Sequence, residues 1–593
     1  MSTPLPAVDP GVTAEIVAAL SPRLRKRLDG AVAKLTALPM VRERDSVRIA
    51  LDDETVVELH APGGTVTTAD AVRCGCLLAP ACVHRAAAVS AAPVADPPST
   101  GTGTGPGPGP GTTTGAAEPV PDTPAAPTDE QTTACAALFT AAAAALDTGR
   151  DGAGAVHQAD LLRAAHTARL AGLHRPAAAA VSVVTQLRAA RAAAPEHRLP
   201  ELADRLREVL HAAHRIPAAT GPELVALRGT ARRAYTPEGS LRLHGLFTEP
   251  VLTPGGYAGA VTWTADATGR RYTVNDTTPG GATRAAAAGE RTVRMGDTAL
   301  THRELSRSGL AVSGGTLSAS GRLGAGAGVR AVRAAGTPWN AAPLTALWEE
   351  PPADQAARAL AARDNPTPGR DDLLFLTVTL LGTVREAAGD CLLAHSEGLT
   401  VRLTLAHDHP ALPYRDNLRL LASRPGLHLR AIARLLPAAH PRAQLLAVSH
   451  PTQDDAHVNL GLERLRTADL PPATSPAPAP SVTPAPHLAG APLHLLRRRL
   501  HQAAAGGRAL LTPPPGNDPR TLRDHALPTA AALLDNLHRT AADRTRDTFG
   551  RLRATDPERF ARAWLATALY TDELDHALCA AAWSAGPPVP APR

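Results

Sequence analysis

The sequence predicts an α+β protein of several domains, and three observations indicate this. The chain has 593 residues, whereas a single hydrophobic core rarely grows beyond about 250–300 residues. The spacing of apolar residues alternates along the chain between a helical period and a period of two. Two segments rich in proline, one of them also rich in glycine and threonine, separate periodic regions. Helical and β-rich domains therefore follow one another along a chain that linkers interrupt.

Residues 1–90 predict a small α/β module that ends in a cluster of cysteines. Ser21 is a suitable N-cap for the helical pattern of SPRLRKRLDGAVAKL, with Pro22 in the first turn. SVRIAL (46–51) and TVVELH (55–60) predict two strands that a short polar turn connects.

The rest of the chain predicts a succession of helical domains, β-rich domains and linkers. These are a flexible linker at 91–130, a helical domain at 131–233, a β-rich domain at 234–340, a second β-rich domain with a leading helix at 341–469, a Pro-rich linker at 470–492, a C-terminal helical domain at 493–585 and a tail at 586–593. The two β-rich regions contain the similar segments LHGLFTEPV and LLGTVREAA. We therefore expect two related, barrel-like regions, for which an oligonucleotide-binding type of barrel is one candidate.

Composition excludes several enzyme classes. Lysine occurs only at Lys26 and Lys34, whereas P-loop NTPases, protein kinases and pyridoxal phosphate enzymes each need a lysine in a defined context. Neither lysine lies in such a context, so these three classes are excluded. An enzyme of another class is the third hypothesis and would need a site in residues 240–450, but no nucleophile and base can be paired there from the sequence. We therefore expect a protein that is not an enzyme and see no small-molecule substrate. His407 and His409 in AHDHP offer two imidazoles to a metal, but a polar turn explains them at least as well.

The sequence also predicts a cytoplasmic protein. Its N-terminus lacks a basic start followed by an apolar core, so we expect no signal peptide. No stretch approaches the roughly 18 apolar residues of a membrane span, so we expect no membrane partner. Because thiols stay reduced in the cytoplasm, the cysteine cluster favours a metal over disulfides.

Three of the six cysteines lie between residues 74 and 84, in the order Cys-x-Cys, five residues, Cys-x-His. Three thiolates and one imidazole form a closed ligand set for structural zinc. Residues i and i+2 of a strand face the same way, so Cys74 and Cys76 can hold one ion together. In a helix they would point about 200° apart, so Cys82 and His84 belong to a loop or a helix mouth. The sequence therefore predicts Zn²⁺ at Cys74, Cys76, Cys82 and His84.

This motif resembles the SWIM zinc finger, in which Cys-x-Cys, a variable gap and Cys-x-His stand between strands and a helix. The resemblance covers residues 45–92 and implies the same four zinc ligands. It departs from the family in the strands before the first cysteine, where Val56, Val57 and Leu59 stand instead of an aromatic residue. SWIM modules bind DNA or proteins, and the resemblance implies a place beside MoxR-type ATPases and von Willebrand factor A proteins.

The charge of residues 1–90 helps to decide between a protein and a nucleic acid as the partner of this zinc-binding module. Residues 1–90 contain ten Lys and Arg and ten Asp and Glu, whereas binding to duplex DNA normally needs a concentrated basic surface. No aromatic residue precedes Phe139, so the module has no ring on which bases could stack. Trp263, Tyr257 and Tyr272 could serve that purpose elsewhere, but a core role is favoured. We therefore expect a zinc-binding recognition protein with a partner protein, and a nucleic acid as the alternative.

Two basic runs could be either binding sites or solvated helix faces. RLRKRL (23–28) and HLLRRRLH (494–501) could contact phosphate or an acidic partner. A charged run is more often the solvated face of a helix, and the sequence favours that interpretation for both.

Overall fold

A computed structural model describes most of the chain. The described residues are 5–95, 126–194, 197–230, 235–253, 257–296, 298–318, 320–324, 328–364, 372–386, 389–472, 491–543, 547–550 and 556–584. Most of the predicted linkers at 91–130 and 470–492, and the whole predicted tail at 586–593, lie outside these residues.

Helices and several β-sheets together make up the described chain, which confirms the predicted α+β composition. The chain forms two compact units. The first unit comprises Met1–Arg232 and Ala491–Thr571, and the second comprises Arg233–Gly490 and Asp572–Arg593.

The first unit begins with a module built on an antiparallel sheet of order β2-β3-β4-β6. Its elements are β1 (Ala7–Val8), α1 (Pro10–Ala18), α2 (Pro22–Arg25), α3 (Leu28–Thr36), β2 (Met40–Glu43), β3 (Ser46–Ala50), β4 (Val56–His60), β5 (Thr65–Val66), β6 (Val72–Cys74) and α4 (Val83–Ala91). Alternate residues of β3 and β4, such as Ile49 and Leu59, are fully buried in one cluster with residues of α3 and α4. Ser21 caps α2 as predicted, since its Oγ accepts the N–H of Leu24 at 3.4 Å.

The chain after α4 stays attached to this module. Val94 forms a parallel bridge with Val8, and the N–H of Ala95 donates to the Val8 carbonyl at 2.8 Å. β1 pairs with β5 in a separate two-stranded sheet. The first residues of the segment that the sequence predicts as a linker therefore extend this small sheet.

Five helices follow and pack against the module within the same unit. They are α5 (Asp129–Gly152), α6 (Ala155–Leu170), α7 (His174–Arg191), α8 (Leu199–Arg215) and α9 (Gly221–Arg228). Asp29 of the module accepts the N–H of Ala155 at 2.9 Å, where a carboxylate is favoured by the dipole of α6. A Cβ at Gly154 would collide with that carboxylate, so the contact depends on glycine at this position.

The described part of the second unit contains two large sheets and one small sheet, and the first large sheet has the order β10-β9-β8-β11-β14. The elements of this part are β7 (Tyr235–Pro237), β8 (Leu241–Leu252), β9 (Tyr257–Ala265), β10 (Arg271–Pro279), α10 (Gly281–Ala286), α11 (His302–Arg307), β11 (Gly309–Ser313), β12 (Thr316–Ser318), β13 (Leu323–Gly324) and β14 (Arg330–Ala334). β7, β12 and β13 form a separate small sheet.

The second sheet has the order β17-β16-β15-β18-β19-β20. Its elements are α12 (Pro352–Asp364), β15 (Leu373–Glu386), β16 (Gly389–Ser396), β17 (Leu399–Leu405), α13 (Tyr414–Ala422), β18 (His428–Leu435), β19 (Arg442–Ser449) and β20 (His457–Asn459). β17 also pairs in parallel with β19, in the register Arg402↔Arg442. Five strands of this sheet therefore pair in a closed cycle: β15 with β16, β16 with β17, β17 with β19, β19 with β18, and β18 with β15.

Both sheets repeat one order of elements. In each, three strands form a meander, a helix follows, a fourth strand pairs with the first, and a fifth pairs with the fourth. The first strands, β8 and β15, both carry a register shift at a glycine, between Gly245 and Phe247 and between Leu380 and Gly382. The segment LHGLFTEPV and the described part of LLGTVREAA, residues 380–386, lie on these two strands, so the two segments occupy equivalent positions in the repeated topology.

A buried aromatic cluster and a buried ion pair join the two sheets. The cluster contains Phe247, Trp263, Trp339, Trp348 and Phe375. Glu249 accepts two hydrogen bonds from the Arg434 guanidinium, at 2.8 and 3.0 Å, and a third from Trp263 Nε1 at 2.9 Å. The side chains of Glu249 and Arg434 are only 11% and 19% exposed. Burial deprives both charged groups of hydrogen bonds to water, and the hydrogen bonds between them replace part of these.

The C-terminal helices return to the first unit. They are α14 (Leu493–Gly506), α15 (Asp518–Asp524), α16 (Pro528–Ala542) and α17 (Pro557–Ser584), of which the last residues belong to the second unit. Leu500, Leu537 and Trp564 share one buried cluster with residues of α5 to α9. The two helical segments that the sequence predicts as separate domains therefore contribute to one core. Among the helices that the structure describes, none combines the length and the apolar character of a bilayer-crossing segment.

We predict that the Glu249–Arg434 pair stabilises the second unit. Arg434→Met leaves Glu249 buried without its partner, which should lower the free energy of unfolding by about 3–5 kcal/mol. Arg464→Met is the matched variant, because it removes an ion pair with Asp416 in which both side chains are 60% exposed. We expect this variant to lower the free energy of unfolding by less than about 1 kcal/mol. Urea unfolding followed by tryptophan fluorescence measures both. Equal losses in the two variants would contradict a stabilising role for the buried pair.

Candidate metal centre

Cys74, Cys76, Cys82 and His84 come together at one end of the N-terminal sheet. Their ligand atoms all lie within 4.8 Å of one another, and Cys74 Sγ is 3.8 Å from His84 Nδ1. Within the described ranges, no other group of three or more Cys, His, Asp or Glu residues is arranged in this way. The four residues predicted as ligands are therefore close enough to hold a metal ion.

Two elements and the loop between them position these side chains. Cys74 is the last residue of β6, where it pairs with Val57 of β4. Cys82 is the N-cap of α4 and stands at the helix mouth as predicted. His84, which was expected at the mouth as well, is the second residue inside the helix, and the two side chains still converge because the backbone of Cys82 is extended. Cys76 differs from the prediction, because β6 ends at Cys74 and a bend, not an extended strand, positions Cys76.

Backbone N–H groups lie near the sulfur atoms. The N–H of Arg85 donates to Cys82 Sγ at 3.5 Å. The backbone N–H groups of Leu78 and Ala79 act to lower the pKa of Cys76, and that of Cys76 acts to lower the pKa of Cys74. N–H groups directed at sulfur favour the thiolate over the thiol, and the thiolate is the form that binds a metal.

The groups around the sulfurs shift the thiol pKa values in different directions. Burial raises the pKa of Cys74 to about 12 and also raises that of Cys82. Burial acts in the same direction on Cys76, but the N–H groups and the two neighbouring thiols outweigh it, so the pKa of Cys76 falls. A bound cation favours the thiolate form of every sulfur ligand. Without a metal the protein favours the thiolate only at Cys76, so metal binding would also deprotonate Cys74 and Cys82.

Arg85 connects the strand, the loop and the helix of this centre. Its side chain is buried, and its guanidinium donates to the carbonyl oxygens of Val72 and Pro80, both at 2.6 Å, and to that of Ala69. Val72 belongs to β6 and Pro80 to the loop between Cys76 and Cys82. In the sequence, Arg85 is only one of the ten basic residues in 1–90. Its place directly after the Cys-x-His pair is the signal that could have identified it as part of the centre.

An acidic turn adjoins the centre. Asp52, Asp53 and Glu54 form the exposed turn between β3 and β4, and Gly75 lies beside the backbone of Glu54. The Thr55 side chain and backbone N–H groups of the turn donate to Asp52 and hold the pKa of its carboxyl below the usual value, and His84 acts in the same direction. The ligand cluster therefore has negative charge next to it.

The other candidate residues do not converge on a site. The rings of His407 and His409 are 6.2 Å apart, and Asp408 between them pairs with Arg415 at 2.5 Å. The structure thus favours the polar turn over the metal site at this motif. Trp263 and Tyr272 are buried in the hydrophobic clusters, as their interpretation as core residues requires, whereas Tyr257 is only half-buried and belongs to none of these clusters.

Comparison of the chain with protein-family models finds no match, and searches of curated proteins and of solved structures find none either.

We predict that Cys82→Ser removes a metal ligand without disturbing the helical bundle. The loss of metal affinity should exceed the roughly 10- to 100-fold effect of a changed outer-shell partner. Cys135→Ser is the matched control, because Cys135 is also buried but lies in α5, in a different hydrophobic cluster. Metal content of the purified variants, measured by mass spectrometry, tests this. Full metal content in Cys82→Ser would contradict the assignment of this ligand.

Arg85→Lys should weaken metal binding although all four ligands remain. A lysine cannot donate in three fixed directions as the guanidinium does, so the loop is held less well and metal affinity should fall by about 10- to 100-fold. Arg73→Lys, an exposed change on β6, should leave the affinity unchanged. Competition with a chelator measures both variants, and an equal affinity in Arg85→Lys and the wild type would argue against this positioning role.

Proposed function

We propose that the N-terminal module binds zinc and that the protein is a zinc-binding recognition protein whose target is a partner protein. The observation that carries this proposal is the convergence of three cysteines and one histidine within 4.8 Å. This ligand set is typical of structural zinc, and four protein ligands leave no open position for a water nucleophile. The metal would therefore hold a binding surface in shape.

The core of the module supports a structural role for the metal. Its hydrophobic cluster consists of aliphatic residues and contains no aromatic ring. Small cores of this kind gain stability from a bound metal, because the ion binds the folded ligand set and not the unfolded chain. Zinc would connect the end of β6, the following loop and the start of α4.

We further propose that residues 45–92 form a SWIM-type finger in a cytoplasmic protein. The order of strands, Cys-x-Cys, loop, Cys-x-His and helix supports this proposal. The resemblance also implies that the partner belongs to a system with a MoxR-type ATPase or a von Willebrand factor A protein.

The charges around the metal centre favour a protein over a nucleic acid as the partner. Arg85 is buried, and Arg25 donates to the backbone carbonyls of Leu20 and Ala18, at 3.1 and 2.6 Å. The exposed turn 52–54 is acidic and lies next to the ligands. Because phosphates are attracted by basic surfaces, this side of the module would repel a nucleic acid.

A nucleic acid is the second candidate, and one observation in the second unit favours it. The five strands β15–β19 pair in a closed order, with α13 between the third and the fourth. We propose that they form a Greek-key barrel of the oligonucleotide-binding type. The burial of Trp263 and Tyr272 weakens this candidate, because stacking on exposed rings drives much of single-strand binding.

The full-length protein should retain a protein partner from nuclease-treated cell extract in a zinc-dependent way. The wild type and Cys135→Ser should enrich the same protein, while Cys82→Ser should not, as read by quantitative mass spectrometry. Labelled duplex and single-stranded DNA should show no binding in fluorescence anisotropy at low salt. DNA binding that weakens steeply with salt and disappears in Cys82→Ser would replace this proposal by the nucleic-acid candidate.

A further inference from the structure

We propose that the tip of the metal loop, formed by Leu77 and Leu78, is the docking surface of the N-terminal module, and that its partner presents a basic amphipathic segment with apolar side chains next to arginine or lysine. This inference rests on the proposed function, because it names the surface and the partner chemistry of the same module.

Leu77 and Leu78 are unusually exposed. Leu77 is 104% exposed and Leu78 is 62% exposed, and no other large exposed hydrophobic residues of the described chain are neighbours in sequence. Single exposed leucines are common on protein surfaces, whereas contiguous apolar patches mark interaction sites. The two leucines also lie inside the motif, between the second and the third ligand.

The loop holds the leucines in a defined position. The N–H of Ala79 donates to the Cys76 carbonyl at 3.1 Å. Arg85 binds the carbonyl of Pro80 at 2.6 Å. The groups that arrange the metal ligands therefore also present Leu77 to solvent, and a surface arranged in advance loses less entropy on binding.

The acidic turn favours a basic partner, because the backbone of Glu54 lies beside Gly75, two residues before Leu77. No cationic side chain of the described residues forms an ion pair with Asp53 or Glu54 in the adjoining turn. Arg73, the exposed cation on β6, stands directly across from Glu58 in the sheet. Three thiolates and one zinc ion would add a net charge of about −1 at this place. An apolar pair beside uncompensated negative charge is complementary to leucine and arginine on one helix face.

Fluorescence anisotropy with synthetic peptides tests this proposal on the zinc-loaded, full-length protein. The probes are a labelled amphipathic helix of leucine and arginine, the same helix with glutamate in place of arginine, and polyarginine of equal length. We expect the leucine–arginine helix to bind at least about tenfold more tightly than either of the others, because only this probe satisfies both the apolar and the charged part of the surface.

Variants locate the surface. Leu77→Ser with Leu78→Ser should weaken binding of the leucine–arginine helix about tenfold, while Leu170→Ser should not change it, since Leu170 is 74% exposed but lies on α6. Asp53→Asn with Glu54→Gln should weaken binding and flatten its dependence on salt. Zinc content equal to that of the wild type shows that each variant is folded.

Three results would overturn the inference: equal affinity for the three peptides, unchanged binding by the leucine variant, or the same loss in Leu170→Ser. These results are distinct from a failure of the proposed function. If the leucine variant still enriches the zinc-dependent partner from extract, the recognition function stands and the partner docks elsewhere. If Cys82→Ser enriches that partner as well as the wild type does, the proposed function fails, whatever the peptides do.

Discussion

The convergence of three sulfurs and one imidazole at the mouth of α4 is the constraint on which the N-terminal module depends. The centre fixes where α4 begins, and α4 places Ala86 and Val89 in a core without aromatic rings. Just beyond the helix, the Ala92 carbonyl accepts a hydrogen bond from Arg188 of α7, whose side chain is part of the helical bundle. The position of α4 therefore matters for the contact between the module and the bundle as well as for the metal ligands.

The second unit is stabilised by aromatic packing and a buried ion pair between its two large sheets. The chain has only five each of Trp, Tyr and Phe, and five of these fifteen form the cluster between the two repeated sheets. Within that cluster, Trp263 donates to Glu249, which also binds Arg434, so apolar packing and a buried ion pair are combined in one contact. Large rings bury much more area than alanine or valine, so a few aromatic residues supply much of the apolar packing in this contact.

The surroundings of the metal centre connect its structure with recognition. Arg85 is directed inward to the backbone, whereas the leucine pair and the acidic turn are directed to solvent. In the proposed function, zinc acts on binding indirectly, because it holds the loop that presents Leu77. The same arrangement disfavours phosphate, since the exposed charge beside the loop is negative. In this proposal, the structure of the module and its recognition of a partner depend on the same few residues between β6 and α4.

Local patterns in the sequence were sufficient for the features that depend on near neighbours. The ligand spacing, the Ser21 cap, the mixture of helices and strands, and the similar first strands β8 and β15 all follow from short segments. Tertiary structure decided what depends on distant partners: Glu249 and Arg434 are 185 residues apart, and α14 shares a core with α5. Periodicity shows which face of an element is buried, but packing selects the element that covers it. For the same reason the exposure of Leu77 and Leu78 between Cys76 and Cys82 could be read only from the tertiary structure, because apolar character alone does not say whether another element covers a side chain.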